Sequence, residues 1–518
     1  MKTCKKRVCL IMLIILAFVL PYPCSYAESD NVFRSGIFEY VLQDDGTIAI
    51  ERCLLTDERV LEIPSQLDGF TVTSLIRPEV DLNTGRGNYF ALSNHVKKLI
   101  LPSTLTKIQG NLFSDLHKLE EIVVSPDHLS FAVIDNVLFS KADKKLICFP
   151  LGRKPYYYTI PDGILEIGDC AFKDCKIKSI TIPESVISIG NYAFEDSEIY
   201  EFIIPKSVRN LGMNPFHMGS MPLNKPIRLS VSADNPFLYV ENNVLVSKED
   251  RRLVCFLKGV REPLKECYVP DGIKTIGEYA FAGCYGVNNV ILPSTVETIC
   301  DNAFYMCSDF QRIEMSDGVK KIGENAFKLC QDLSEIIWSA NLAEIGDSAF
   351  LHCDSLKNVT LPDNVAVIGS EAFAFCVHLK EVYLPSRIDS IPENLFSNCS
   401  SLIEVNIPEG VVSIGRNAFY SCSDLKHINW NGEESRLPES LDKIGELAFA
   451  ECSRLQELYL PASISEIENS VGISESHHAF EKDTNLVVTV ERNSYAAEYC
   501  EQNKISYVYP DSNDWLTN

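Results

Sequence analysis

A fixed period constrains this chain more than any other feature. The segment Ile322-Gly323-Glu324-Asn325-Ala326-Phe327-Lys328-Leu329-Cys330 returns as Ile345-Gly346-Asp347-Ser348-Ala349-Phe350-Leu351-His352-Cys353. Phe281, Phe304, Phe327, Phe350, Phe373, Phe396 and Phe419 stand 23 residues apart. Upstream, Phe172, Phe194 and Phe216 keep a spacing of 22, and Phe449 and Phe480 follow after 30 and 31, which marks inserted stretches at Asn431–Leu437 and Glu468–Glu475. A unit this long is too short for two packed helices and too long for a heptad. It suits one coil of a solenoid that buries its apolar face only against its neighbours. Within the unit, Leu356, Val359 and Leu361 alternate inward before Pro362, which reads as a short strand ended by a residue with no N–H for the ladder. The Val-x-x-Ile-Gly segment is a second extended stretch. Glycine recurs four residues before the Phe, which predicts a backbone bend that a side chain would obstruct.

Two stretches interrupt the period and match each other without a gap, within residues 127–150 and 234–257. Each carries two apolar runs around a polar Ser-Lys-x-Asp-basic turn, as in Ser140-Lys141-Ala142-Asp143, and is predicted to be a hairpin-type coil. At the ends, Gly36 to Leu75 is strand-like, and Tyr495-Ala-Ala-Glu-Tyr-Cys-Glu501 reads as a short helix before a final strand. Solenoids need polar caps, and these segments are the candidates. The first residues have another character. Lys2, Lys5, Lys6 and Arg7 precede an apolar run from Val8 to Leu20, then Pro21-Tyr22-Pro23 and small residues before Glu28. That is the pattern of a secretory leader, and the apolar run falls short of the roughly 20 residues a spanning helix needs. The expected division is a leader over 1–27, an N-terminal β cap over 28–95, a solenoid over 96–490 and a C-terminal cap over 491–518.

The Ile-Gly-x-x-Ala-Phe-x-x-Cys and Leu-x-x-Val-x-Leu-Pro units, the Asn-Val-Leu-x-Ser-Lys-x-Asp hairpin coils and the closing Asn493-Ser-Tyr-Ala-Ala-Glu-Tyr-Cys500 together resemble the BspA-type leucine-rich repeat proteins. The resemblance runs over roughly 36–509. It implies a β-rich leucine-rich repeat solenoid of short parallel strands, turns and short helical segments. It also implies a bacterial protein that is secreted or held at the cell surface and adheres to host matrix proteins or other cells. The inserts and the missing anchor or glycan-binding tail depart from the pattern, and the second departure puts wall attachment in doubt.

Composition narrows the function. The chain has 518 residues, 46% hydrophobic, with 71 Asp and Glu against 47 Lys and Arg, a formal net charge of −24. So acidic a surface does not track phosphates, and nucleic acid is not an expected partner. No second long apolar segment follows the leader, so no membrane span is expected in the mature chain. Catalytic signatures such as Gly-x-Ser-x-Gly, His-Glu-x-x-His and the phosphate-binding Gly-rich loop are absent, and no enzyme and no cofactor is expected. Three of the nineteen cysteines lie in the leader. Nine others recur three residues after the repeat Phe, from Cys175 and Cys284 to Cys452. A line of one Cys per coil cannot surround a tetrahedral metal. Coil spacing near ~4.8 Å does fall within disulfide range. Parallel in-register side chains aim the same way, however, and the expectation is a column of buried free thiols. His477-His478 is read as exposed loop.

A binding face remains. The two strand positions flanking the inward Val should stack into adjacent columns on the expected concave face. One carries Glu381, Glu404 and Glu457, and the other Ile337, Tyr383 and Tyr459. Stiff aromatics beside like charge make a protein-recognition surface. These six residues are the predicted ligand-binding set, with a protein ligand such as a host extracellular-matrix or cell-surface protein. The alternative is a scaffolding component of an envelope with no discrete ligand.

Overall fold

The structure is a computed structural model. It describes residues 32–510 apart from 55–56, 78–89, 92, 94, 200, 218–227, 258–263, 285, 430–434, 472–475 and 484. Residues 1–27, expected to be a leader, lie outside the described residues, as do parts of both inserts. The chain forms two compact units, one of residues up to 155 with 168–175, the other of 156–167 with 176 onward.

The first unit opens on an antiparallel meander of Val32–Ser35, Phe38–Leu42 and Ile48–Cys53. Phe70–Leu75 then joins Ile48–Cys53 in parallel and is followed in parallel by Lys107–Ile108. On a second face, Val60–Glu62, Lys98–Ile100 and Glu121–Val123 pair in parallel register. Coil-like pairing therefore reaches back to Val60, inside the segment expected to be a cap. The hairpin coil has three strands: Phe131–Ile134, Val137–Ser140 and Lys145–Cys148. Its first turn is carried by Asp135 and Asn136 at φ of 50° and 62°, the left-handed pair that a tight hairpin demands.

The second unit repeats that hairpin at Leu238–Glu241, Val244–Ser247 and Arg252–Phe256, with Asn242 and Asn243 left-handed at its turn. Elsewhere each coil has three parts. A three- to five-residue strand pairs in parallel with its equivalent in the next coil, as Arg312–Glu314 does with Glu335–Ile337. A two-residue strand does the same on another face, as Lys321–Ile322 does with Glu344–Ile345. Between coils, a turn segment runs from the glycine to the cysteine. Leu356, Val359 and Leu361 are buried as expected, at 2%, 1% and 4% exposure.

The turn segment has its own hydrogen-bond pattern. Ala303, Tyr305 and Cys307 donate within their coil to residues three back, and Asn302, Phe304 and Met306 donate to the carbonyls of Glu324, Ala326 and Lys328 in the next coil. Two residues per coil are left-handed to allow it, here Asn302 at 57° and Met306 at 59°. The glycine in this segment is required for a different reason than a bend. Gly346 lies outside the left-handed region, but a Cβ on it would sit 2.6 Å from Gly323 C and 2.7 Å from Glu324 N. Backbones of successive coils touch there.

From Phe281 to Phe480 the repeat phenylalanines form one continuous stack. Neighbouring ring centroids lie 4.8 Å apart for Phe281–Phe304, 5.0 Å for Phe327–Phe350 and 5.6 Å for Phe449–Phe480, all near-parallel. The last coil is closed by a helix, Tyr495–Asn503, whose N-cap Ser494 accepts from Ala497 N. The strand Tyr507–Val508 then extends the sheet beyond Val487–Val490.

Candidate functional site

The strand face carries the predicted residues on neighbouring rungs. Parallel register sets Glu381 opposite Glu404 and Tyr383 opposite Asn406, with His427 beyond Glu404. Tyr383 is 42% exposed and Ile337 40%, and Glu381 and Glu457 are also exposed while Glu404 is half-buried. Like charges directly opposite one another oppose strand pairing. Three coils earlier the same column is neutralised, because Arg312 pairs with Glu335 at 3.2 Å and with Glu314 at 2.9 Å. Glu381 and Glu404 have no such cation among the described residues.

Beside Tyr383 the face dips. A depression of about 480 Å³ is lined by Tyr383, Glu404, Asn406, Ile407, Glu409 and Asn429. The chain leaves the strand at Asn429, which turns left-handed at φ 46°. Its side-chain Oδ1 then accepts from Ile407 N at 2.6 Å, where other coils offer a strand carbonyl, as Tyr383 O does to Leu361 N at 3.1 Å. The chain returns at Ser435, whose hydroxyl donates to Lys426 O at 3.1 Å. A second depression, about 540 Å³, is lined by Lys426, His427, Ser435, Arg454, Gln456 and Glu457.

Tyr459 departs from its expected place. The returning insert lays Arg436 alongside it as a parallel bridge, with the guanidinium 4.2 Å from the ring centroid. Its hydroxyl donates to Glu491 at 3.1 Å, and the residue is only 8% exposed. Burial, with Glu439 nearby, pushes its phenol up to about 12. An exposed anchor at Tyr459 is therefore corrected to a covered one. The strand pattern alone gave no sign of this, since the covering residue comes from an insert.

The thiol column is buried and unbridged: all sixteen cysteines of the described chain are free, and all but Cys300 are buried. Each thiol in the central coils donates to the Phe carbonyl of the preceding coil, Cys330 to Phe304 O at 3.0 Å and Cys399 to Phe373 O at 3.1 Å. Burial pushes these thiols up, so they stay protonated and inert. In the last coil Asp483 takes the slot. Burial lifts the pKa of Asp483 to about 8, outweighing the Cys452 backbone contact that lowers it. No cluster of three or more His, Cys, Asp or Glu suited to a metal is found among the described residues. His478 accepts from Phe480 N through Nδ1, so its ring serves the turn.

Parallel two-faced coils with an aliphatic and phenylalanine interior define a leucine-rich repeat solenoid, a class that typically serves as a non-catalytic binding scaffold. The chain belongs to the BspA-type leucine-rich repeat family, whose model matches residues 69–145, 148–225, 255–380, 320–437 and 367–481. Membership supports a protein-interaction or surface role. Among solved structures, the chain is similar to a leucine-rich repeat protein from Bacteroides ovatus at 22% identity, over 92% of this chain and 99% of that one, with a TM-score of 0.47. It is also similar to a leucine-rich cell-surface protein from Faecalibacterium prausnitzii at 22% identity, over 73% and 95%, with a TM-score of 0.41. A leucine-rich repeat protein of T. pallidum matches at 32% identity over 32% of this chain and 77% of that one, with a TM-score of 0.30. A comparison with curated proteins returns no match. No helix among the described residues is long and apolar enough to cross a membrane.

Proposed function

We propose that the chain is exported and acts outside the cell as a binding protein, its strand face recognising a protein such as a host extracellular-matrix or cell-surface protein in adhesion or recognition, without catalysis. The observation that carries this reading is the unneutralised Glu381–Glu404 pair beside the exposed Tyr383 and its depression. A scaffold with no ligand gains nothing from like charges on adjacent rungs. A binding face does, because carboxylates steer a basic partner and a stiff aromatic anchors it at little entropic cost. The secretory pattern of residues 1–27 supports export.

The test is attachment of the purified chain to matrix-coated surfaces and to cells. Tyr383→Ala should weaken attachment tenfold or more, about 1.4 kcal/mol, with circular dichroism unchanged. Glu381→Gln with Glu404→Gln should slow association and flatten its dependence on salt, since exposed charges are screened over ~8 Å at physiological ionic strength. Attachment that is indifferent to all three changes would move the site off this face.

A further inference from the structure

The turn segments carry a second surface. Within each coil two positions are left-handed, a conformation that asparagine, aspartate and glycine adopt readily and bulky residues avoid. Over four successive coils the earlier position holds small or polar residues, Asn302, Asn325, Ser348 and Glu371, at φ of 52–59°. The later position holds bulky ones over the same four coils. Met306, Leu329, His352 and Phe375 stand there at φ of 58–63°. The column returns to expected residues at both ends, Gly283 before and Asn398 after. These four side chains do not enter the core. Met306 is 40% exposed and Phe375 38%, with Leu329 and His352 half-buried, and His352 stacks on Phe375 at 4.6 Å. Stability would favour asparagine twice over, for the backbone and for the solvent. Left-handed backbone at four successive bulky residues, with Met306 and Phe375 exposed among them, marks a surface kept for contact.

Charge identifies the partner. Five residues before the first three stripe positions stand Asp301, Glu324 and Asp347, and two or three residues after them stand Asp309, Asp332 and Asp354. Along these turns Lys328 is the lone cation against them. An apolar stripe with acid on both sides repels a second copy of a chain of net charge −24 and repels anionic lipid. It suits an amphipathic helix with basic flanks. Spacing agrees: the rings beneath the stripe repeat at 4.9, 5.0 and 5.2 Å. That is close to the ~5.4 Å turn of a helix and well short of the ~6.6–6.8 Å between same-face residues of a strand. We infer that the turn edge formed by Met306, Leu329, His352 and Phe375 docks a basic amphipathic helix of a partner protein, at a site separate from the strand face.

The test uses the full chain and a fluorescent Leu/Lys peptide of ~18 residues patterned as an amphipathic helix. The parent should bind it saturably. Met306→Asn with Leu329→Asn and Phe375→Asn should weaken binding tenfold or more while the thermal midpoint stays level or rises, since asparagine suits the backbone. Tyr383→Ala should bind the peptide like the parent. A triple variant that binds undiminished overturns the proposal. So does a triple variant, or Phe375→Asn alone, that melts lower, because the side chains are then there for packing. Loss of peptide binding in Tyr383→Ala overturns the separate site. Peptide binding unchanged while self-association or vesicle binding falls in the triple variant overturns the assigned occupant.

Discussion

Phe350→Ala probes what one rung of the core contributes. Phe350 is fully buried, its centroid 5.0 Å from Phe327 and 5.2 Å from Phe373, with Trp338 edge-on at 5.5 Å. Returning such a side chain to water costs about 1.5–3 kcal/mol, and the cavity adds to it, for a total of about 3–5 kcal/mol. The upper half of that range is expected because the site cannot collapse. Phe327 N donates to Ala349 O at 2.7 Å and Phe350 N to Ala372 O at 2.8 Å, so the backbones above and below are tied at fixed spacing. Urea denaturation should give the total, and hydrogen exchange resolved by peptide should give the place. Protection should fall first in the coils around Phe327, Phe350 and Phe373. Combining Phe350→Ala with Phe327→Ala should leave a coupling of about 0.5–3 kcal/mol, whereas combining it with the distant Phe449→Ala should be additive. Protection lost evenly from end to end, or equal coupling for the near and distant pairs, would refute the picture of coils stabilised by their neighbours.

Gly346→Ala should destabilise by about 1–3 kcal/mol or more despite adding only a methyl group, because its Cβ would meet Gly323 C and Glu324 N, both backbone; an unchanged urea midpoint would show that the coils can part. Asp483 predicts a pH dependence. Its pKa is about 8 folded against 3.8 as a free side chain, so the stability it confers is complete below about pH 4 and is lost as pH rises towards 8, by at most about 1.4 kcal/mol per pH unit. Asp483→Asn should flatten that slope in denaturation curves taken from pH 5 to 8. For the thiols, most of the sixteen cysteines should react in denaturant without prior reduction. In the native protein Cys300 should react first, since it alone is not fully buried, although burial still holds it up at about 11. Fewer than half reacting in denaturant would mean bridged coils.

How much was legible in advance depended on whether a residue's surroundings repeat. Leu356, Val359 and Leu361 point inward as expected because alternation in a strand is a local rule, and the period then places each beside its own kind. The thiol column followed from the same logic, though its hydrogen bond to the preceding coil's Phe carbonyl did not, since that partner lies 26 residues back. The glycine was misread as a bend because sequence cannot distinguish a special φ from a close neighbour; the neighbour here is the next backbone. The hairpin coils hold one strand more than expected, Phe131–Ile134, because Asp135-Asn136 is a turn signal as strong as Ser-Lys-x-Asp. Tyr459 failed for the opposite reason to the core residues. Its environment is set by Arg436 from an insert unique to one coil, and a period says nothing about what occurs once.

The turn segments also give the second unit a direction. Asn302, Phe304 and Met306 all donate forward, and the following coil repeats the gesture through Asn325, Phe327 and Leu329. Peptide groups aligned this way leave unlike ends: carbonyls face the start of the array and N–H groups its finish. The two ends differ in what they tolerate, because an orphaned buried N–H is rarer in native proteins than an under-satisfied carbonyl. At the finish the closing helix supplies an acceptor, the Tyr499 hydroxyl taking the Ala479 N–H at 3.2 Å. Shortening the array is therefore not a symmetric operation. Coils removed from the front leave oxygen atoms that water serves readily, while loss of the last helix strips the Ala479 N–H of its acceptor.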